Sequence, residues 1–399
     1  MRIGIDASRA NLVQKTGTEW YAFHLLKAFF EICHPEDEIR LYVKDNPLSD
    51  WGELPRNVKF KILKWPPKFL WTQLRLSWEM LWHPVDLLFV PAHTVPVICP
   101  ANTITALHDI GFEHAKKLYD QKKIGMPGLK FLMNFLVRLI TLGKYGANEY
   151  DYHRFSARLA LKKCKRILTV SEYSKQDIAN TYKIDPNRVI VVPNAVETQV
   201  FNAQIKSKTQ KLNEIKVSLN ISDPYIMTLG RVEKKKNSLG LVEAFKLVKK
   251  NQNFQKHKLL LVGSPGSGFE EVKDKIQELK LEKEVIITGW LENQKIPILL
   301  AGAEIFVMPS LFEGFGVPVI EAMAVGTPVV CSNLTSFPEV VAEAAILVNP
   351  NDPKNIAEGI LNILNNQTLA DQLIQKGYQR AKEFTWPKSA ELLSKLIYE

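Results

Sequence analysis

Residues 305–321 read IFVMPSLFEGFGVPVIE, and this stretch decides the fold. The first four residues are apolar and predict a buried strand, and the proline that follows the glycines suits the first turn of a helix. Between strand and helix, Gly314 and Gly316 let the backbone turn sharply and let a ligand approach closely. The stretch therefore predicts a strand-to-helix turn whose free amides, near Phe315, Gly316 and Val317, form a seat for an anion.

Two carboxylates accompany this turn, Glu313 before the predicted helix and Glu321 in what the pattern places as its first turn. A carboxylate repels a phosphate but accepts hydrogen bonds from neutral hydroxyls. The pair therefore fits a sugar linked through a diphosphate to a nucleoside, with the sugar at one end and the ribose at the other. The alternative is that Glu321 is a first-turn charge that favours the helix dipole.

A second strand-to-helix turn lies upstream, at residues 225–237, which read YIMTLGRVEKKKN. Arg231 and Lys236 are placed to hold a diphosphate. Arg231 could donate two parallel hydrogen bonds from its guanidinium, and Lys236 could act as a point charge. Lys234 and Lys235 are interpreted as cations of a solvated turn.

Apolar strands alternate with helical patterns along both halves of the 399 residues. This alternation predicts an α/β fold of two doubly wound domains, each with a parallel sheet, and a cleft between the domains. Ligands of such sheets bind outside the carboxyl ends of the strands. The polar stretch at 202–218 is the best linker candidate.

Composition narrows the class of protein. Hydrophobic residues make up 46% and charged residues 24%, which excludes disorder along most of the chain. The four cysteines are scattered, which excludes a disulfide scaffold and a zinc ribbon and fits a reducing compartment. The first residues predict a strand and not a signal peptide, so a cytoplasmic location is expected.

The excess positive charge is concentrated in the first half. Residues 112–170 carry 13 basic and 4 acidic side chains, and residues 59–82 combine five cations with four tryptophans. Together with the apolar positions of 126–143, these segments are typical of a protein that touches the inner face of an anionic membrane. The alternative is a core helix with a solvated edge. No nucleic-acid module accompanies the charge, so nucleic acid is not an expected partner.

Taken in order along the chain, these motifs resemble those of the retaining glycosyltransferases of family 4. The resemblance rests on Glu313 and Glu321 in a Glu-x7-Glu pattern, on Gly230-Arg231 with Lys236, and on several first-half motifs. The latter include Thr16-Gly17-Thr18, Val90-Pro91-Ala92-His93 and Leu107-His108-Asp109-Ile110. It extends over essentially the whole chain and implies the GT-B fold of two facing Rossmann-like domains. The implied domains are an acceptor-binding domain at 1–201, a linker at 202–218, a nucleotide-sugar domain at 219–383 and a helix at 384–399 that crosses back.

The resemblance also implies roles for single residues. Arg231 and Lys236 would bind the donor diphosphate, Glu313 the transferred sugar and Glu321 the ribose. His108 would contact the donor sugar and Gly17 would approach the diphosphate and acceptor, while Gly230, Phe315, Gly316 and Val317 would line the donor seat. A lone His at a strand end is more often structural, but its position and the resemblance favour a catalytic role for His108. Asp109 is expected to cap the next turn, and the alternative is that it orients His108.

The expected function is that of a hexosyltransferase of surface-polysaccharide assembly that needs no cofactor. The first choice of donor is GDP-mannose, and a UDP-hexose is the alternative; the acceptor would be a saccharide or a lipid-linked saccharide. No D-x-D triplet is present, so no metal is expected to hold the diphosphate. A non-catalytic scaffold that senses a nucleotide or a polyanion is the alternative of a different class.

Overall fold

A computed structural model describes residues 1–65, 70–118 and 144–399 together with residues 131, 134, 135, 137 and 138. The chain divides into two compact units. The first unit contains Met1–Asn194 and Trp386–Glu399, and the second contains Ala195–Thr385.

The first unit is built on a seven-stranded sheet in the order β3-β2-β1-β4-β5-β6-β7, and every neighbouring pair is parallel. The strands are β1 Arg2–Asp6, β2 Glu38–Val43, β3 Val58–Ile62, β4 Leu87–Val90, β5 Thr103–Ala106, β6 Arg166–Thr169 and β7 Val189–Val191. Its described helices are α1 Gly17–Phe30, α2 Ser77–Trp82, α3 Gly111–His114, α4 Glu149–Lys163 and α5 Glu172–Tyr182.

The second unit has a six-stranded sheet in the order β10-β9-β8-β11-β12-β13, which is also parallel throughout. The strands are β8 Tyr225–Leu229, β9 Lys258–Val262, β10 Val285–Gly289, β11 Ile305–Met308, β12 Val329–Ser332 and β13 Ile346–Val348. Its helices are α6 Thr209–Ser218, α7 Ser238–Val248, α8 Phe269–Glu278, α9 Ile296–Gly302, α10 Val317–Val325, α11 Phe337–Val341, α12 Pro353–Leu364 and α13 Gln367–Ala381.

Both sheets have an apolar layer on their faces, as buried parallel sheets require. In the second unit, Ile226, Leu259, Ile305 and Val330 of four strands are fully buried in one cluster with residues of α7 and α12. Because all strands of a sheet run the same way, the loops after them lie along one edge. This edge is where each unit can present a site.

Two strands of the first sheet, β3 and β7, have weak signals in the sequence. Residues 58–62 alternate apolar and lysine side chains, and β7 is only three residues long. Both strands lie at the outer edges of the first sheet. β3 is interrupted by lysines and β7 is only three residues long, so neither contains the longer continuous apolar run that predicts a central strand.

The segment expected as a linker at 202–218 is folded into the second unit. It forms a 3-10 turn at Ala203–Ser207 and helix α6, and Ile205 and Ile215 are buried. Lys206 Nζ donates a 2.6 Å hydrogen bond to the carbonyl of Gly326. The polar composition of this segment reflects the exposed face of a packed helix, which composition alone does not distinguish from a linker.

The last helix, α14 Trp386–Tyr398, belongs to the first unit. The Trp386 indole stacks on His24 of α1 with ring centroids 5.4 Å apart. Ser389 Oγ donates to the carbonyl of Pro193, and the Tyr398 hydroxyl donates to Asp37 Oδ2 at 2.6 Å. Contacts along the whole helix therefore fix it to the first unit.

Candidate functional site

The loop after β8 provides the cations of the candidate donor site. Gly230, at φ +138°, opens this loop, and a Cβ there would come within 3.1 Å of the Lys236 side chain. The loop is joined to the one after β11, since the amide of Leu311 donates to the carbonyl of Lys235 at 2.9 Å. β8 and β11 are neighbours in the sheet, so Lys236 and Glu313, 77 positions apart in sequence, meet at one edge.

Lys236 and Glu313 form a direct ion pair across these two loops. Lys236 Nζ lies 2.6 Å from Glu313 Oε1, and both side chains are largely buried. Desolvation strengthens a charge-assisted hydrogen bond and penalises either charge left alone. The pair therefore fixes Lys236, which is expected to bind the diphosphate, beside Glu313, which is expected to bind the sugar.

Arg231 is exposed and lies beside a carboxylate that the sequence analysis missed, Glu233. Arg231 Nε is 3.7 Å from Glu233 Oε2. Burial raises the pKa of Glu233, while the charges of Arg231, Lys236 and Lys235 act in the opposite direction. Glu233 is thus placed to orient Arg231, and its sequence signal is a single acidic residue within a run of basic ones.

Glu313 is held by a second segment that sequence reasoning also missed, Thr335 and Ser336 after β12. The Glu313 amide donates to Thr335 Oγ1 at 3.3 Å, and Ser336 Oγ donates to the Glu313 carbonyl at 3.0 Å. Thr335 has φ +59°, a left-handed conformation that is rare for a β-branched residue. Backbone strain of this kind persists where surrounding structure imposes it, often at functional sites.

Helix α10 begins at the predicted turn, with Gly316 as its N-cap at φ +91°. The amides of Gly316 and Val317 precede the first intrahelical hydrogen bond, and Pro318 has no N–H, so these two donors are the free amides at the predicted anion seat. Phe315 is buried, and its ring packs edge-on against Phe384 at 5.2 Å. Phe315 can therefore serve a ligand through its backbone and not through its ring.

Gly316→Ala is expected to destabilise the second unit by about 2 kcal/mol or more, since the left-handed backbone penalises a side chain and the site is crowded. The added Cβ would lie 2.6 Å from Cε1 of buried Phe337. Thermal unfolding measures the effect, with Gly17→Ala as the control because a Cβ at Gly17 meets nothing within 4 Å. Equal melting temperatures of Gly316→Ala and wild type would show that the turn relaxes without cost.

Glu321 is the fifth residue of α10 and not part of its first turn. The alternative of a first-turn charge on the helix dipole is therefore wrong, because that effect fades beyond the first turn. Desolvation raises the pKa of the Glu321 carboxyl to about 7. A carboxyl held at such a pKa in a partly buried position is typical of a binding or catalytic group.

In the first unit, His108 follows β5 at the carboxyl edge of the sheet, where it meets α1. Its ring lies edge-on to Tyr21, with centroids 4.6 Å apart. Burial lowers the pKa of His108 to about 4, so the imidazole is neutral at pH 7. His108 hydrogen-bonds to the backbone of Pro91, and its buried Nε2 has no hydrogen-bond partner among the described residues. Nε2 is therefore a buried acceptor that no described residue satisfies.

Gly17 is the first residue of α1, in a loop that is firmly anchored. Thr16 and Glu19 form a capping box at the start of the helix. Lys15 is buried against the rings of Trp20 and Phe23 and pairs with Asp50 at 3.0 Å. The loop thus presents Gly17 to open space from a rigid base.

Two further features lie near His108. Asp109 Oδ1 accepts the Gly111 amide at 3.0 Å, which confirms the predicted cap of the next turn. His93 Nε2 lies 2.8 Å from His153 Nδ1, a pair that the sequence did not indicate because 60 residues separate its members. Burial is the main cause that lowers the pKa of His93 well below its usual value.

The structure therefore brings together, within the second unit, the loops that carry Gly230, Arg231, Lys236, Glu313 and Gly316. Within the first unit, α1 contains both Gly17 and Tyr21, and the ring of Tyr21 contacts His108. Of the basic aromatic segments, 126–143 lies largely outside the described residues. Among the described part of the chain, no helix has the length and hydropathy needed to cross a bilayer.

Comparison with known proteins finds two family matches and several similar proteins. Residues 17–200 match the family described as Glycosyltransferase Family 4, and residues 210–380 match Glycosyl transferases group 1. O-antigen chain mannosyltransferase B of Escherichia coli is 31% identical over 235 residues, which are 59% of this chain and 61% of that protein. O-antigen chain mannosyltransferase RfbU of Salmonella typhimurium is 31% identical over 53% of this chain and 54% of that protein. The matches thus span less than two thirds of these curated relatives.

Among solved structures, sucrose-phosphate synthase from Thermosynechococcus elongatus is similar over 100% of this chain and 98% of its own, with a TM-score of 0.71 and 17% identity. At this identity the likeness concerns the fold, which is of the GT-B type. The two family matches cover both units in their expected order, and together they span most of the sequence. The chain belongs to the glycosyltransferases of family 4.

Proposed function

We propose that this protein is a retaining, metal-independent glycosyltransferase that moves a hexose from a nucleotide sugar to a saccharide or lipid-linked saccharide in cell-surface polysaccharide synthesis. The single observation that carries the proposal is the ion pair of Lys236 and Glu313 at the carboxyl edge of the second sheet. Lys236, the proposed cation for the diphosphate, lies there beside Glu313, the proposed acceptor for the sugar hydroxyls. The diphosphate and the sugar of one donor are neighbours in the same way.

The donor diphosphate binds between the cations of the β8 loop and the amides that open α10. Arg231 and Lys236 supply positive charge, and the amides of Gly316 and Val317 supply directed dipoles. The bond between C1 of the sugar and the phosphate oxygen breaks, and its electron pair stays on that oxygen. Because these groups are already oriented, they stabilise the departing charge without reorganising during the reaction.

The acceptor hydroxyl attacks C1 from the face that the diphosphate leaves. Its oxygen forms the new glycosidic bond, and its proton passes to the leaving phosphate oxygen, so no protein carboxylate is needed as a nucleophile. Glu313 holds the sugar hydroxyls during the transfer. His108 of the first unit keeps its proposed role as a contact of the donor sugar, and its imidazole, neutral at pH 7, would add no charge.

Mannose from GDP-mannose is the first choice of donor, because the two named relatives at 31% identity are mannosyltransferases of O-antigen chains. The test is a panel of GDP- and UDP-sugars that reads release of free nucleotide with and without acceptor. Release from GDP-mannose above all others supports the proposal. Faster release from a UDP-hexose would show that the donor is that UDP-hexose and not GDP-mannose. If the folded protein releases nucleotide from no donor, the result favours a non-catalytic scaffold.

Activity is expected to survive excess EDTA. The positive charge that a metal would bring to the diphosphate is already supplied by Arg231, Lys236 and the amides of α10. Initial rates before and after chelation measure this, with a metal-dependent glycosyltransferase as the assay control. Loss of activity that magnesium or manganese restores would contradict metal independence.

A further inference from the structure

The helical segment from Trp71 to Trp82 in the first unit exposes an apolar face. It begins as a π-helical turn at Trp71–Leu76 and continues as α2. One side, with Trp71, Leu76 and Met80, is buried in the core. The opposite side carries Leu74, Trp78, Leu81 and Trp82, and Trp78 and Trp82 are 62% and 64% exposed. A surface helix normally places charged residues on its outer side, so this segment is apolar where water would favour polar groups.

Neighbouring residues extend this surface. The amide of Val97 donates to the carbonyl of Gln73 at 3.5 Å, and the amide of Ile98 donates to Ser77 Oγ at 3.1 Å. The loop of Val97 and Ile98 therefore runs along the helix. We name as the tryptophan face the exposed apolar residues Leu70, Leu74, Trp78, Leu81, Trp82, Val97 and Ile98. Exposed apolar groups gathered in this way mark an interaction surface.

β3 lies beside the helical segment of the tryptophan face, since Lys61 of β3 pairs with Glu79 of α2, and this strand adds further cations. Lys59 and Lys64 on and after β3 are exposed. Glu79 is the one acidic residue in the sequence from 59 to 83, and it is buried between Lys61 at 2.5 Å and Arg75 at 3.2 Å. The carboxylate is therefore neutralised from within, and the surface presented to a partner is positive around an apolar centre.

We propose that the tryptophan face docks on an anionic lipid bilayer, with Trp78 and Trp82 at the level of the headgroups and Lys59 and Lys64 on the phosphates. Indole rings favour the interface because one end is apolar and the other can hydrogen-bond. Lysines near an anionic surface add attraction that salt screens. The inference rests on the proposed function in one respect: a lipid-linked acceptor would lie in the membrane that the first unit contacts.

The test is co-sedimentation of the full chain with vesicles of phosphatidylcholine alone or with about 30% phosphatidylglycerol, an anionic content at which attraction of cations is strong. Wild type is expected to bind the anionic vesicles. Trp78→Gln combined with Trp82→Gln should weaken binding roughly tenfold at any salt concentration, since apolar insertion is lost. Lys59→Glu with Lys64→Glu should weaken it mainly at low salt.

The matched control is Trp290→Gln, because Trp290 is a 54% exposed tryptophan of the second unit and should leave vesicle binding unchanged. Melting curves of all variants report folding. Equal binding by wild type and the double tryptophan variant would overturn the proposal. The proposal would also be overturned if wild type formed a dimer in sedimentation velocity and the double tryptophan variant lost it without any change in vesicle binding. That result would assign the face to a second copy of the chain.

Nucleotide release from a water-soluble donor separates this inference from the proposed function. The double tryptophan variant should release nucleotide at the wild-type rate while its vesicle binding falls. If no donor is turned over, the vesicle assay still reads the surface. If donor turnover is normal and vesicles are ignored, the membrane inference fails and the glycosyltransferase proposal stands.

Discussion

Arg231→Ala or Lys236→Ala is expected to lower kcat/KM by roughly 10²–10³, the scale on which removal of one preorganised charge acts on a transition state. The diphosphate gains charge as the glycosidic bond breaks, so each contact is stronger in the transition state than in the bound donor. Lys236 is largely buried, which adds to its effect, whereas Arg231 is exposed until a donor covers it. Steady-state rates with the donor identified by the nucleotide-sugar panel measure both.

Lys234→Ala is the matched control for these variants. Lys234 belongs to the same loop, but its ammonium is exposed and lies 2.6 Å from Glu271 on α8. Its loss should change the rate by about twofold or less, since exposed ion pairs contribute little. Lys236→Ala also leaves Glu313 without its cation, so melting curves must show a folded second unit. A folded Arg231 or Lys236 variant with wild-type rates would remove that residue from the mechanism.

The strand and helix on either side of the predicted donor seat were predictable because their signals are local. In residues 305–321 an apolar run, two glycines and a proline follow each other within one short stretch, and each favours the same local structure. The structure places β11 at Ile305–Met308 and the N-cap of α10 at Gly316. The second turn, after β8, was predictable for the same reason.

What the sequence did not predict depends on contacts between distant residues. Thr335 and Ser336 hold the backbone of Glu313 from 22 and 23 positions away, and nothing in their local sequence indicates this. The ion pair of Lys236 and Glu313 spans 77 positions and follows from the order of strands in the sheet. Residue types and spacing indicated the members of the site, but not which of them pair.

The two glutamates are expected to separate in their effects. Glu321→Ala should weaken binding of the nucleoside diphosphate by about tenfold or more, because two ribose hydroxyls lose a charged acceptor. Glu313→Ala should leave that affinity within a few-fold and lower transfer by roughly 10², because the sugar loses the group that orients it. Calorimetry with the nucleoside diphosphate and rates with the donor measure the two quantities. The reverse pattern would show that Glu313 binds the ribose and Glu321 binds the sugar.

Glu321 adds a pH dependence whose sign follows from its protonation state. Its pKa of about 7 means that the carboxyl gains a proton as the pH falls through neutrality. A protonated carboxyl has fewer acceptor sites for the ribose hydroxyls, so affinity should fall below pH 7, by up to about tenfold per pH unit. The diphosphate itself titrates in this range, and Glu321→Gln isolates the protein's share because its amide does not titrate. The difference between the wild-type and Glu321→Gln profiles should therefore reach its full size above about pH 8, shrink through neutrality and vanish below about pH 6. Parallel profiles would show that Glu321 does not bind the ribose as a carboxylate.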